Sequence, residues 1–180
     1  MRHHDLIRDL TALRPSPQRD AYLEFVRAGG DDALRRDGGA EHITGSCFVL
    51  SPDFAQVLLC FHGKGRFWVQ FGGHVEPQDP SISATAQREA REESGIADLL
   101  LVSAGILDLD RHALHGGFSC AGHWDVGFAA LADPAAPIAV SDESEDVRWF
   151  PLDDLPADVP DGFGERLRAV REAALQLPVA

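Results

Sequence analysis

Apolar residues recur at helical spacing in two stretches near the start of the chain. Leu6, Leu10 and Leu13 share one face of residues 5–13, and "RPSP" stops that helix. A second helix is predicted over 17–28, with Tyr22, Phe25 and Val26 turned inward. The Gly- and Asp-rich run "AGGDDALRRDGGAEH" reads as a connector. The texture then changes. "ITGSCFVLS" and "AQVLLCFHG" are β-rich runs flanking "PDF", which predicts a hairpin. "FWVQF" (67–71) predicts a further strand, and residues 80–94 a helix. After it, "LLLVSAGILDL" reads as a strand, "DRHALHGGFSCAG" as a loop, and "HWDVGFAAL" and "DVRWF" as strands. Residues 162–177 close the chain as a helix, with Phe163, Leu167, Val170, Ala174 and Leu177 on one side. Strands interleaved with helices imply an α/β fold, a mixed sheet covered on both faces.

With 180 residues, 44% hydrophobic and 25% charged, the composition is that of an ordinary globular domain with a full core. No apolar run approaches the roughly 20 residues that span a bilayer. Asp5 and Asp9 interrupt the apolar core a signal peptide would need, so the expected setting is the cytoplasm, with no membrane partner. A formal charge of −13 repels phosphate backbones and argues against long nucleic acid as a partner. It leaves room for a small anionic ligand held through divalent cations. Cys47, Cys60 and Cys120 form no CxxC pair, and buried reduced thiols are expected. Nothing in the pattern fixes an oligomeric state.

The chemistry gathers in "REAREESG", where Glu89, Glu92 and Glu93 stand at i, i+3 and i+4. They fall within about 100° of helix surface, off the stripe of Ile82, Ala86 and Ala90. Like charges at i, i+4 destabilise a helix, and anions in its last turn oppose the macrodipole. A divalent cation reverses both penalties, because hard cations take carboxylate oxygens. Asp79 fits the N-cap, Pro80 the first helical position and Gly95 the C-terminal stop. Before the helix, Gly72 and Gly73 let the backbone turn tightly, so a peptide carbonyl there can face the carboxylates.

"GGHVEPQDPSISATAQREAREESGI", residues 72–96, resembles the signature of the Nudix hydrolases. Gly73 matches its first glycine, and Arg88, Glu89, Glu92, Glu93, Gly95 and Ile96 match its second half. There are three departures. Asp79 stands where the family has Glu, eight residues rather than seven precede Arg88, and Ala90 replaces a bulky aliphatic residue. The resemblance implies an αβα sandwich with a mixed sheet, in one domain over 1–180. A helical extension (1–40) would precede the core (41–155), and a C-terminal helix (156–180) would follow it.

The implied activity is hydrolysis of a nucleoside diphosphate linked to another moiety, by water attack at phosphorus with Mg²⁺ or Mn²⁺. Glu89, Glu92, Glu93 and the Gly73 carbonyl would ligate metal, and Arg88 would orient Glu89. A further carboxylate from "SDESEDVRW", Glu143 or Glu145, would be a metal ligand or general base. His74 and Glu76 are candidates for contact with phosphate or metal, and His112, His123 and Asp125 for the border of the substrate cleft. His112, His115, Cys120 and His123 are of zinc-ligating types, but their spacing matches no common structural zinc pattern. Trp68, Phe71 and Trp124 are expected in the core. The alternative is a catalytically inactive Nudix-like module that senses a nucleotide. Such a module would be expected to lack one or more of the box carboxylates, and all three are present here.

Overall fold

The computed structural model describes residues 1–114, 120–140 and 144–177. Among them the helices are α1 (His3–Thr11), α2 (Pro17–Gly29), α3 (Ile82–Ser94) and α4 (Phe163–Leu175). The strands are β1 (Glu41–Leu50), β2 (Gln56–His62), β3 (Phe67–Val69), β4 (Phe71–His74), β5 (Leu100–Leu101), β6 (Asp108–Ala113), β7 (Gly122–Leu131) and β8 (Ser144–Pro151). All belong to one mixed sheet, in which β1 and β7 run parallel and the other pairs are antiparallel.

β1 is buried along nearly its whole length because both sheet faces are covered. One edge lies against β7 throughout, from Glu41↔Gly122 to Leu50↔Leu131. The other edge is divided. Val49 and Leu50 pair with β2, whereas Thr44 to Cys47 pair with β4. β2 meanwhile carries β3 beside Cys60, Phe61 and His62, and β8 along its far edge. The two central strands therefore part, and a wedge opens between β3 and β4.

Strand alternation sorts the side chains into two layers. Ile43, Cys47 and Val49 of β1, with Trp124, Val126, Phe128 and Ala130 of β7, pack under α1, α2 and α3. Phe48, Leu50 and Ala129 face the other way, under Phe163, Leu167, Val170 and Ala174 of α4. Gly45 lets α3 lie close on the sheet: a Cβ there would stand 3.1 Å from the Ile82 carbonyl oxygen and 3.2 Å from the Ala86 nitrogen.

Several local expectations are corrected. α3 begins at Ile82, not Pro80, and its cap is Ser81, whose hydroxyl accepts from the Ala84 N–H at 3.1 Å. "LLLVSAGILDL" is not one strand, because Ser103 and Gly105 form a turn between β5 and β6. Residues 110–113, read as loop, belong to β6, which gains its hydrogen bonds from β7. "FWVQF" divides at Gln70 into β3 and β4. Cys47 and Cys60 are buried as expected, but Cys120 is only half-buried.

Candidate active site

Gly95 ends α3 in the left-handed conformation (φ 72°), which only glycine adopts without strain. The last two turns of α3 lie against β4, whose glycines allow close approach. A Cβ at Gly73 would stand 2.4 Å from Glu89 Oε1, so any side chain there would have to displace that carboxylate. The Gly72 N–H donates to Glu93 Oε2 at 3.0 Å. Glu93 is buried, whereas the Glu92 side chain is 60% exposed.

Arg88 ties the cluster together. Its Nε and Nη2 make a two-pronged contact with Asp79, at 3.0 and 2.9 Å, and Nη2 also donates to the His74 carbonyl at 3.0 Å. Nη1 reaches Glu89 at 2.9 Å and Glu92 at 3.1 Å. Asp79 is buried and accepts further bonds from the Glu76 N–H and the Thr85 hydroxyl, each 2.9 Å. Burial alone would raise the Asp79 carboxyl, but the bonds from Arg88, Glu76 and Thr85 hold it below the usual carboxylate range. Asp79 in turn is the main reason the Arg88 pKa is raised. Asp79 thus anchors the arginine rather than capping the helix.

The donor set suits a hard divalent cation. Glu89 and Glu93 bring two carboxylates to the glycine edge of β4, and Glu92 stands beside Glu89, the two sharing Arg88 Nη1. Carboxylate oxygens beside a glycine backbone are the ligands Mg²⁺ and Mn²⁺ take.

The wedge between β3 and β4 forms a cavity of about 460 Å³. Gly72, Gly73 and Glu93 reach its wall, and so do His74, His112, His123 and Asp125. Its positive side chains are Arg36 and Lys64, and Phe67 and Val69 supply an apolar side. Asp125 forms part of the floor, buried, with hydrogen bonds from the Thr44 hydroxyl at 2.9 Å and the Ser46 hydroxyl at 2.5 Å. Burial pushes its pKa up, opposed by Arg166 at 3.6 Å. That arginine, from α4, also pairs with Asp108 at 2.6 Å and Asp110 at 3.0 Å. His112 Nδ1 lies 2.8 Å from Asp110. Burial lowers His74 to about 4 and His123 to about 3, helped by neighbouring histidines, so both are neutral imidazoles at pH 7.

The structure thus brings Gly73, Glu89 and Glu93 to one strand edge, with Arg88 and Glu92 beside Glu89, and His74, His112, His123 and Asp125 to the adjoining cavity. Of two further expected residues, one lies at the margin of the site and one is paired away from it. Glu76 is exposed on its loop, hydrogen-bonded by Gln78 and 4.0 Å from Arg88. Glu145 is exposed on β8 and paired with Arg66. Glu143 and His115 lie outside the described residues. Sequence reasoning missed Arg166, Asp108 and Asp110, and also His42, Thr44 and Ser46. The last three were visible as polar residues at every second position of "HITGS", on one face of the predicted strand.

Fold and site define an α/β sandwich that presents an arginine-clamped acidic helix to a glycine-paired strand. The family model of the NUDIX domain matches residues 41–171, and the chain belongs to the Nudix hydrolase family. A Nudix-family hydrolase from Clostridium perfringens superposes with a TM-score of 0.59 at 21% identity, covering 76% of this chain and 98% of that one. An Ap4A hydrolase from C. elegans, in a binary complex, gives 0.59 at 18% identity over 73% and 95% of the two chains. The NUDIX domain of Shewanella oneidensis NrtR, complexed with ADP ribose, gives 0.55 at 18% identity over 75% and 89%. These structures share the fold with this chain. Among the described residues, no helix is long and apolar enough to cross a membrane.

Proposed function

We propose that this protein hydrolyses a nucleoside diphosphate linked to another moiety, by water attack at phosphorus, with Mg²⁺ or Mn²⁺. The observation that carries the reading is the placement of Glu89 and Glu93 on the glycine edge of β4, with Glu92 held beside Glu89 by Arg88, next to a cavity of nucleotide size. Glu89, Glu92, Glu93 and the Gly73 carbonyl would hold the cation, which would lower the pKa of a bound water and screen the phosphates. Arg88 positions Glu89 and Glu92, and Asp79 positions Arg88. Arg36 and Lys64 place positive charge on the cavity wall for the diphosphate, and Phe67 and Val69 offer an apolar surface to the nucleoside. His112, His123 and Asp125 border the bound substrate. The substrate is a small-molecule nucleotide, in keeping with the Ap4A hydrolase and ADP-ribose complexes among the structural relatives.

The test is a panel of nucleoside triphosphates, ADP-ribose, dinucleoside polyphosphates and sugar nucleotides, with Mg²⁺ or Mn²⁺ and with chelator. At least one compound should be turned over only with metal. Glu92→Gln and Glu93→Gln should each lower kcat at least a hundredfold, about 2.7 kcal/mol of barrier. Activity that survives exhaustive chelation refutes the mechanism, and tight nucleotide binding without turnover would favour the sensing alternative.

A further inference from the structure

The cavity contains a second ligand set, of which the diphosphate reading uses only His123, as a residue bordering the substrate. His42 and His123 are directly paired across the parallel strands β1 and β7, and His74 lies on β4, opposite Thr44. Strand alternation turns all three imidazoles to the same sheet face. The carboxylate helix packs on the opposite face. Cys120, just before β7, completes the group, and one ligand atom from each of the four residues lies within 4.8 Å of all the others.

Three observations point to a ligand. His42 is fully buried, yet among the described residues neither of its ring nitrogens has a hydrogen-bond partner. The Gly39 backbone approaches that ring without meeting hydrogen-bond geometry at either nitrogen. His123 Nε2 is buried and unpartnered in the same way. A buried polar atom left unsatisfied costs about 1–3 kcal/mol, so such atoms at one point call for an occupant. Finally, the ring centres of His42, His74 and His123 form a near-equilateral triangle, with sides of 4.9, 5.1 and 5.2 Å. Imidazoles bound to tetrahedral zinc at about 2.0–2.1 Å have ring centres about 5 Å apart, which matches this triangle. Cys120 Sγ lies 4.0 Å from His74 Nε2, so bringing that pair to the spacing of tetrahedral zinc ligands needs a contraction of about half an ångström.

We propose that His42, His74, His123 and Cys120 bind one zinc ion as a closed tetrahedral His₃Cys site. Three imidazoles and a thiolate select zinc over the magnesium and manganese suited to the carboxylate helix. Binding releases the Cys120 thiol proton to solvent and leaves the site with one net positive charge on the cavity wall. With four protein ligands no position remains for water, so the ion is structural. It ties the end of β4, which carries Gly72 and Gly73, to the starts of β1 and β7. This inference does not depend on the diphosphate reading: His123 alone is common to both, and zinc content and the cobalt spectrum are read without any substrate.

The test uses the full chain, purified under reducing conditions. Elemental analysis after dialysis against excess Mg²⁺ should find one zinc per chain. Cobalt substitution should give the visible bands of a tetrahedral site together with a thiolate-to-cobalt charge-transfer band. Cys120→Ser should lose that band and bind zinc at least about tenfold more weakly in competition with a chromogenic chelator. Zinc should raise the thermal midpoint of the wild type more than that of Cys120→Ser. Glu93→Gln should keep the zinc and the cobalt spectrum. Folded wild-type protein that holds no stoichiometric zinc overturns the proposal, as does a cobalt spectrum without the thiolate band. Zinc lost from Glu93→Gln but retained by Cys120→Ser would place the ion at the carboxylates and also refute it. If Cys120→Ser fails to fold, the wild-type stoichiometry and cobalt spectrum still decide.

Discussion

Asp79→Asn probes whether the departure from the family signature is a working part of the site. The carboxylate is buried and receives four hydrogen bonds, two of them from Arg88. Asparagine keeps the size and one acceptor oxygen but removes the charge and turns an NH₂ toward the guanidinium. Removing one partner of a buried ion pair costs about 3–5 kcal/mol. Here Arg88 retains Glu89, Glu92 and the His74 carbonyl, and its side chain is 18% exposed, so about 2–3 kcal/mol is expected. That is a large share of the ~5–15 kcal/mol that holds a typical domain together.

The assay is urea unfolding of wild type and Asp79→Asn across pH. The folded-state pKa of Asp79 is depressed, so its stabilisation is fully present above the unfolded value, about 3.9. It is lost as pH falls through the lower folded value, where the wild-type carboxyl also becomes neutral. The gap between the two proteins should therefore be constant from pH 7 to about 5 and close below pH ~4. A gap under about 1 kcal/mol at pH 7, the size of an exposed ion pair, would refute the anchoring role. So would a gap that stays constant at every acidic pH where both proteins fold.

Gly73→Ala should lower kcat at least tenfold while moving the unfolding midpoint little, because its Cβ would displace the Glu89 carboxylate 2.4 Å away; turnover within twofold of wild type would contradict that approach. Glu145→Gln should change turnover by less than about threefold and stability by under 1 kcal/mol, since Glu145 forms an exposed pair with Arg66. A hundredfold loss of kcat would instead make Glu145 the late carboxylate of the mechanism. In the presence of chelator, Glu93→Gln should melt at or slightly above wild type, because it removes an anion from the helix C-terminus and keeps an acceptor for Gly72 N–H. A midpoint well below wild type would identify Glu93 as a structural residue.

The acidic helix was legible because its signal is local: three glutamates, a stop glycine and a glycine pair within one stretch of chain. Its start was misread for a tertiary reason. Asp79 and Ser81 are equally good caps by type, and Arg88, nine residues past Asp79, draws the aspartate inward and leaves the cap to Ser81. β6 was missed because "DLDRHA" alternates charges rather than apolar residues. Its inward carboxylates, Asp108 and Asp110, are satisfied by Arg166 from α4, more than fifty residues away in sequence. The histidine cluster was hidden for the same reason. Two of its ligands, Cys120 and His123, stood out in one segment, but His42 and His74 come from other strands and only sheet pairing brings them in.

A chain of net charge −13 that binds phosphates must concentrate the little positive charge it has. The structure does this by topology. The only lysine in the sequence, Lys64, falls just past β2 at the mouth of the wedge, and Arg36 falls just before β1. Both reach the cavity because β1 and β2 pair only through Val49 and Leu50 and then diverge toward β4 and β3. Arg88 and Arg166 add no free charge, since each faces two or more carboxylates. Two cationic side chains against the Glu89, Glu92 and Glu93 carboxylates leave the wall short of what a diphosphate requires. Bound metal cations are what make such a surface attractive to an anion, so the acidic composition and the carboxylate helix imply the same cofactor chemistry.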